Sequence, residues 1–233
     1  MDKKNKETKP EKEFSTHDIV RDEYYDRIMD IHPNWFNPNT ARIDNVCGWS
    51  LDFQTYYILL ELLDRNKPRN ILELGFGFSS LPINQYAQSA EARHDICEGS
   101  SEWIDYFSNM YCKDGEWNFR MIVKNEIVKT IDGHDNCRLY DDFRSGLNPP
   151  YDFVLIDGPQ GSKDTISRAN ILNDIDVLDS NSTIIFHDTR RPGEQLTMSK
   201  MMEKLNGYRK RDFQICSVIT NTDVLLDVLE ISS

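Results

Sequence analysis

The sequence predicts an α/β domain in which helices cover both faces of a mainly parallel sheet. From residue 70 onward, short apolar runs alternate with stretches of helical periodicity, and such alternation implies right-handed crossovers between parallel strands. Within the runs the apolar residues are consecutive, as in Phe153 to Ile156, which marks strands buried on both sides. Two further apolar runs joined by "NTD" (221–223) predict a hairpin, and hence at least one antiparallel strand.

Each element follows in order. Residues 1–13 are nearly all charged or polar, with mixed signs, and are expected to form a disordered, solvated tail. Residues 14–233 are expected to form a single domain, in which helices within 14–66 contribute to a binding site or lid. The first helix, capped by Ser15 or Thr16, presents Ile19, Tyr24, Ile28 and Ile31 at helical spacing. The loop "HPNWFNPNT" follows, then a second helix through "SLDFQTYYILLELLDRN" with Ser50 as cap. Strands are expected at 70–75, 93–98, 119–123, 151–157 and 182–188, with helices at 79–88, 100–111, 163–178 and 196–205. The stretch "DGHDNCRLYDDF" carries no clear period. Strands at 213–220 and 224–231 complete a seven-stranded sheet.

Composition narrows the function. Apolar residues make up 39% and charged residues 28% of the 233, as in ordinary globular proteins. A formal net charge of -12 argues against a nucleic-acid partner. The five cysteines (Cys47, Cys97, Cys112, Cys137, Cys216) are scattered and contain no C-x-x-C pair, so buried thiols are expected rather than disulfides or a zinc site. No apolar stretch approaches the ~20 residues that span a bilayer, and the first residues lack the apolar core of a signal peptide. No membrane partner and a cytoplasmic location are therefore expected. Both a monomer and a homo-oligomer fit the sequence.

In an open parallel sheet, ligands bind beyond the carboxyl ends of the strands, where strand order reverses. Three strands here end in suitable signals. "ELGFGFSS" offers Gly75 and Gly77 for a tight turn, Ser79 or Ser80 to start a helix, and Glu73 as a carboxylate that can reach into the cleft. It lacks the lysine of a phosphate loop and the third glycine of a dinucleotide fingerprint. Glu98 ends the second strand, where an acid can accept from both hydroxyls of a ribose. Trp103, in the next helix, suits either an adenine cover or core packing. Asp157 ends the fourth strand, and His187 and Asp188 end the fifth. If those strands are neighbours, about 5 Å apart, their carboxylates converge. His187 and Asp188 share one site only where the strand has already bent, because consecutive strand residues face opposite ways.

These features resemble the class I S-adenosylmethionine-dependent methyltransferases. "NILELGFGFSS" is similar to their first motif, Glu98 to their ribose carboxylate, and the terminal hairpin to their antiparallel sixth and seventh strands. The resemblance spans about residues 50–233 and implies a Rossmann-like fold. It also implies S-adenosyl-L-methionine as cofactor, with Glu73, Gly75, Gly77, Ser79, Glu98 and Asp157 around it. "YDFVLIDGPQG", Arg168 and "FHDTRRPGE" further resemble the glucuronoxylan 4-O-methyltransferase family and bacterial sugar O-methyltransferases, with His187, Asp188, Arg191 and Glu194 at matching spacing. Gln160 stands where one sugar-modifying branch carries histidine. In other O-methyltransferases of this fold, acids after the fourth and fifth strands hold a divalent metal. The resemblance thus implies magnesium, manganese or calcium on Asp157 and Asp188.

The expected activity is transfer of a methyl group to a hydroxyl of a sugar or glycan, with or without a metal. An alcohol is a poor nucleophile while it keeps its proton, so a base must remove it or a metal must acidify it. Asp157, His187 and Asp188 are the catalytic candidates, and Arg168 and Arg191 the candidates for binding an acceptor carboxylate such as a uronic acid. Trp35, Phe36, Trp49 and Tyr56 suit an aromatic sugar platform as well as core packing. Two alternatives stand beside this expectation: methylation of another small molecule (a phenol or carboxylate), and a non-catalytic module that retains the fold.

Overall fold

The computed structural model describes residues 51–111, 117–131, 133–161 and 165–223, together with residues 24, 26–28 and 30. The 1–13 tail, most of the first predicted helix, the "HPNWFNPNT" loop with Trp35 and Phe36, and Trp49 lie outside the described residues. Of the first predicted helix, Tyr24 and Ile28 are helical and buried in the main core.

The second predicted helix is α1, Phe53–Asn66. Its N-cap is Asp52 rather than Ser50, which lies outside the described residues: Asp52 Oδ1 accepts from the Thr55 backbone N–H at 3.1 Å, supplying one of the partners that helix starts lack. Lys67, in the left-handed region at φ 48°, closes the helix ahead of Pro68. Tyr56 is core rather than platform; it is buried in α1 and its hydroxyl donates to the Phe78 carbonyl.

The alternation then unfolds as β1 (Asn70–Leu74), α2 (Ser80–Ala90), β2 (Arg93–Glu98), α3 (Ser101–Tyr111) and β3 (Phe119–Val123). The stretch without a clear period holds β5 (His134–Tyr140), which forms a hairpin with β4 (Glu126–Ile131) just before it, with Gly133 at φ 79° in the turn. β6 (Tyr151–Ile156) and β7 (Leu178–Phe186) follow, then α5 (Pro192–Lys204), β8 (Arg209–Asp212) and β9 (Ser217–Thr220), with α4 (Asn170–Asn173) lying between β6 and β7. Seven strands form one sheet in the order β3-β2-β1-β6-β7-β9-β8. The strands from β3 to β7 run parallel, and β9 pairs antiparallel with both β7 and β8. Strand order reverses between β1 and β6.

Two expectations need correction. The long helix at 163–178 is absent: α4 is four residues, followed by a 3-10 turn at Ile175–Val177. Arg168 sits at φ 57°, a conformation no helix interior allows, and Ser167 bridges to Arg138 of β5. The terminal hairpin also lies earlier than expected. Its strands are 209–212 and 217–220, while residues 224–233 fall outside the described set. β8 reads "RKRD", an edge strand whose charges protect an open edge and erase the apolar signal.

The continuous apolar character of β6 now has its cause. Phe153 and Leu155 pack with α1, α2 and Phe107 on one face, while Val154 and Ile156 pack with Ile171, Met198 and Met201 on the other. Each fully buried side chain of this size contributes about 1.5–3 kcal/mol. Cys97, Cys137 and Cys216 are free and buried, and burial pushes the Cys97 and Cys216 thiols up to about 12. Among the described residues, no helix is long and apolar enough to cross a membrane. Truncating the centre of the sheet, Phe153→Ala, is expected to cost about 3–5 kcal/mol, read as a lowered urea midpoint.

Candidate active site

The ladder continues one residue past each strand and so aligns the tips. Gly75 N–H donates to the Cys97 carbonyl (2.8 Å), Asp157 N–H to Leu74 (2.8 Å), His187 N–H to Ile156 (3.0 Å) and Lys124 N–H to Glu98 (2.9 Å). Gly75, Glu98, Asp157 and Asp188 therefore open onto one rim, and all four line a cavity of about 720 Å³. That volume lies in the range of small-molecule sites, and it lies at the reversal point of the sheet.

Two glycine turns meet at the floor. Gly75 has φ +100°, and a Cβ there would lie 3.1 Å from the Asp157 carbonyl carbon and the Gly158 nitrogen. A Cβ on Gly158 would fall 2.4 Å from the Tyr140 hydroxyl and 2.8 Å from Gly75 N. The β1 and β6 loops thus touch backbone to backbone. Gly77 differs: a Cβ there meets nothing within 4 Å.

Beside this floor, the Glu98 carboxylate is fixed by backbone N–H groups of Phe76 (2.9 Å), Gly99 (2.7 Å) and Ser100 (2.8 Å). A carboxylate offers about four lone-pair directions, so acceptor capacity is left toward the cavity. Trp103 lines the same wall, and its indole N–H donates to the Phe76 carbonyl at 2.6 Å. Ser79 also lines the cavity but provides no cap to α2; its hydroxyl donates instead to Glu73. Glu73 does not reach the cleft. It is fully buried beneath the floor, between Ser79 and the His94 ring nitrogen Nε2 at 2.9 Å.

The acidic end is built from β6, β7 and the start of α1. His187 Nδ1 lies 2.8 Å from Asp157 Oδ1, and its Nε2 faces Asp52 Oδ2 at 3.5 Å. Among the described residues, that Nε2 is buried and has no hydrogen-bond partner. Asp188 joins the group because β7 ends at Phe186 and Asp188 turns at φ 62°. Its Oδ2 lies 3.7 Å from His187 Nδ1. Arg168, expected to bind an acceptor, lines the cavity but is only 3% exposed, and its donors are engaged within the chain itself. Its donors reach the Pro159 carbonyl (3.2 Å), the His187 carbonyl (3.0 Å), Asp157 Oδ1 (3.1 Å) and Asp188 Oδ2 (2.9 Å). Arg191 is 44% exposed and holds Asp188 Oδ2 at 2.8 Å, which leaves much of its guanidinium toward the cavity.

Ionisation follows from these contacts. Burial pulls the His187 pKa down, but the Asp157 charge, hydrogen bonds to Asp157 and Asp52, and the Asp188 charge outweigh it and raise it to about 9. For Asp157, burial opposes ionisation, yet the charges of His187 and Arg168 hold its carboxyl below the ordinary range. Asp52 is lowered despite burial by hydrogen bonds from His187 and Thr55. Glu126, on the opposite wall, is raised by burial and by the charge of Glu98.

The chain is similar in structure to an SAH-bound methyltransferase from Podospora anserina, at 16% sequence identity and a TM-score of 0.56, covering 90% of this chain and 98% of that one. A putative caffeoyl-CoA O-methyltransferase from Staphylococcus aureus aligns at 14% identity and a TM-score of 0.56, over 87% and 100% of the two chains. An O-methyltransferase from Bacillus cereus in complex with SAH aligns at 13% identity and 0.52, over 84% and 96%. The fold is that of the class I methyltransferases. No family model matches the sequence, and neither does any curated protein.

In this methyltransferase fold, Asp157, His187 and Asp188 bring one ligand atom each within 4.8 Å of one another, a hard donor set that would suit a divalent ion. One oxygen of each carboxylate, however, is already paired with Arg168: Asp157 Oδ1 as an ion pair at 3.1 Å and Asp188 Oδ2 as an acceptor at 2.9 Å. Two unit charges 4 Å apart interact by about 4 kcal/mol at an effective dielectric of 20. A doubly charged ion beside this guanidinium meets twice that as repulsion. Arg168 thus opposes at this point a divalent ion that Asp157 and Asp188 would attract.

Sequence reasoning missed Asp52, Glu126 and Tyr140. Asp52 heads a D-x-x-T start that signals a helix cap and nothing more, and the other two belong to a hairpin without a readable period. Two glycine substitutions separate floor from cradle. Gly158→Ala is expected to destabilise by about 1–3 kcal/mol through overpacking, whereas Gly77→Ala stays within about 0.5 kcal/mol; paired urea titrations measure both.

Proposed function

We propose that the chain is an S-adenosylmethionine-dependent O-methyltransferase acting on a hydroxyl of a small molecule, in the sugar or glycan class, with His187 as general base. The observation that carries this is the His187 ring: Nδ1 is tied to Asp157, Nε2 stands 3.5 Å from Asp52 Oδ2, and the residue lines a cavity whose other end holds Glu98 and the Gly75 turn. The fold, shared with SAH-bound methyltransferases, the cavity volume and the restrained Glu98 carboxylate all favour an adenosyl ligand. S-adenosylmethionine would supply a methyl group already activated by its sulfonium, so positioning does much of the work.

What is left to the chain is the acceptor's proton. In neutral His187, the contact with Asp157 keeps the proton on Nδ1 and leaves the lone pair on Nε2, on the side of Asp52. An acceptor oxygen brought to Nε2 would give up its hydrogen there as its bond to the methyl carbon forms and the carbon–sulfur bond of the sulfonium breaks, leaving the neutral thioether. The resulting imidazolium is stabilised from both sides, by Asp157 and Asp52. Arg191, half exposed at the rim, suits a carboxylate or several hydroxyls on the acceptor, which favours a sugar, and a uronic acid in particular. The metal-assisted version draws on the 4.8 Å cluster and conflicts with the Arg168 contacts.

Labelled-methyl transfer across a panel of sugars, uronic acids and phenols tests the acceptor class, and calorimetry with S-adenosylhomocysteine tests the cofactor. A folded protein that binds none of the latter is a scaffold, not an enzyme. His187→Ala is expected to keep cofactor binding and to lose about 10²–10⁴ in kcat. Because the base works only when neutral and its pKa is raised to about 9, kcat/KM for the acceptor should climb with pH and level off above that value. The stabilising ion pair runs the other way: it is complete below the ordinary histidine pKa and lost as pH rises through about 9. Asp157→Asn should move the bend of the rate profile toward lower pH.

A further inference from the structure

We propose that Arg168 is the resident cation of this site: its guanidinium holds one oxygen of each carboxylate that a divalent ion would use, and methyl transfer here runs without metal. The second half rests on the proposed function; the first does not. Arg168 Nη1 lies 3.1 Å from Asp157 Oδ1 and Nη2 2.9 Å from Asp188 Oδ2, so one planar fork joins the tips of β6 and β7. The third member of the cluster is committed as well, since His187 Nδ1 lies 2.8 Å from that same Asp157 oxygen. A metal ion would have to break all three contacts at once.

The guanidinium also has nowhere to go. Its segment is clamped under β5: Arg138 N–H donates to the Ile166 carbonyl at 3.1 Å, Thr197 Oγ1 donates to the Ser167 carbonyl at 2.7 Å, and Ile166 and Ala169 are fully buried. On its far side stands Glu194, fully buried, with neither carboxylate oxygen hydrogen-bonded among the described residues and Oε1 3.9 Å from Arg168 Nε. Asp157, Asp188 and Glu194 therefore surround one fixed positive charge. Removing it would leave three carboxyl groups around a hole of guanidinium size, next to an imidazole. That is a divalent-cation site in chemistry and number of donors, held latent by Arg168 at its centre, with Arg191 at its rim on Asp188 Oδ2 (2.8 Å) and 3.7 Å from Glu194 Oε1.

Manganese titration of the chelator-treated full-length chain, followed by the paramagnetic resonance of free Mn²⁺, tests this directly. Wild type is expected to show no stoichiometric site. Arg168→Ala should gain one that binds at least about tenfold more tightly, a difference of about 1.4 kcal/mol. Arg168→Lys, which keeps the charge, should not gain it, and adding Asp188→Asn to Arg168→Ala should abolish it. Wild-type methyl transfer should survive exhaustive chelation. One equivalent of tightly held Mn²⁺ in wild type, lost in Asp188→Asn, overturns the proposal; so does an Arg168→Ala chain that is folded by circular dichroism and gains nothing. If Arg168→Ala does not fold, the wild-type titration still decides. If no acceptor is ever methylated, the functional reading fails while the manganese result stands on its own.

Discussion

Parallel pairing sets Leu74 of β1, Ile156 of β6 and Phe186 of β7 side by side, and the cavity follows from that register. With the strand ends level, the next residues (Gly75, Asp157, His187) leave the sheet at neighbouring points on one rim. Hydrophobicity alone does not enforce this in β6, because both of its faces are apolar and a one-residue slip exchanges Phe153 and Leu155 for Val154 and Ile156. The tip opposes the slip. A shifted β6 would withdraw Asp157 from His187 and Arg168, and would part Gly158 from the Gly75 backbone it touches.

The polar end is a balanced set rather than an acidic patch. Asp52, Asp157, Asp188 and Glu194 face His187, Arg168 and Arg191 at distances between 2.8 and 3.9 Å. Burial raises the cost of every charge in it, so each is tolerable only because opposite charges are close. Glu194 is the exception that fits: its carboxylate oxygens lack hydrogen bonds, and burial raises its pKa toward the neutral form. The protein thus concentrates ionisable groups at one point and sets the His187 ring between Asp157 at Nδ1 and Asp52 at Nε2.

Much of the fold was legible because burial on both faces writes itself into sequence. The runs at β1, β2, β3, β6 and β7 were found with small errors of boundary, and so was the antiparallel character of the last pair. What escaped was stabilised by contacts without periodicity. β4 exposes most of its side chains, β8 is four charged or polar residues at an open edge, and the segment around Arg168 follows the β5 hairpin instead of its own helical pattern. The site shows the same division. Strand tips pointed to Gly75, Glu98, Asp157, His187 and Asp188, all of which line one cavity. Glu73 was expected at the surface of that cavity but is claimed beneath it by Ser79 and His94, whereas Arg168 lines the cavity with its guanidinium held by Asp157 and Asp188. No linear pattern reveals which partner a polar side chain will meet.

Asp52 does two jobs with one carboxylate. It closes the first turn of α1 through Thr55 and stands beside the imidazole of His187. Helix ends fray long before a central sheet melts. Warming that loosens this turn would therefore strip the imidazole of the anionic neighbour at its Nε2 while the strands are still intact, so catalytic competence would fade at a lower temperature than the fold itself.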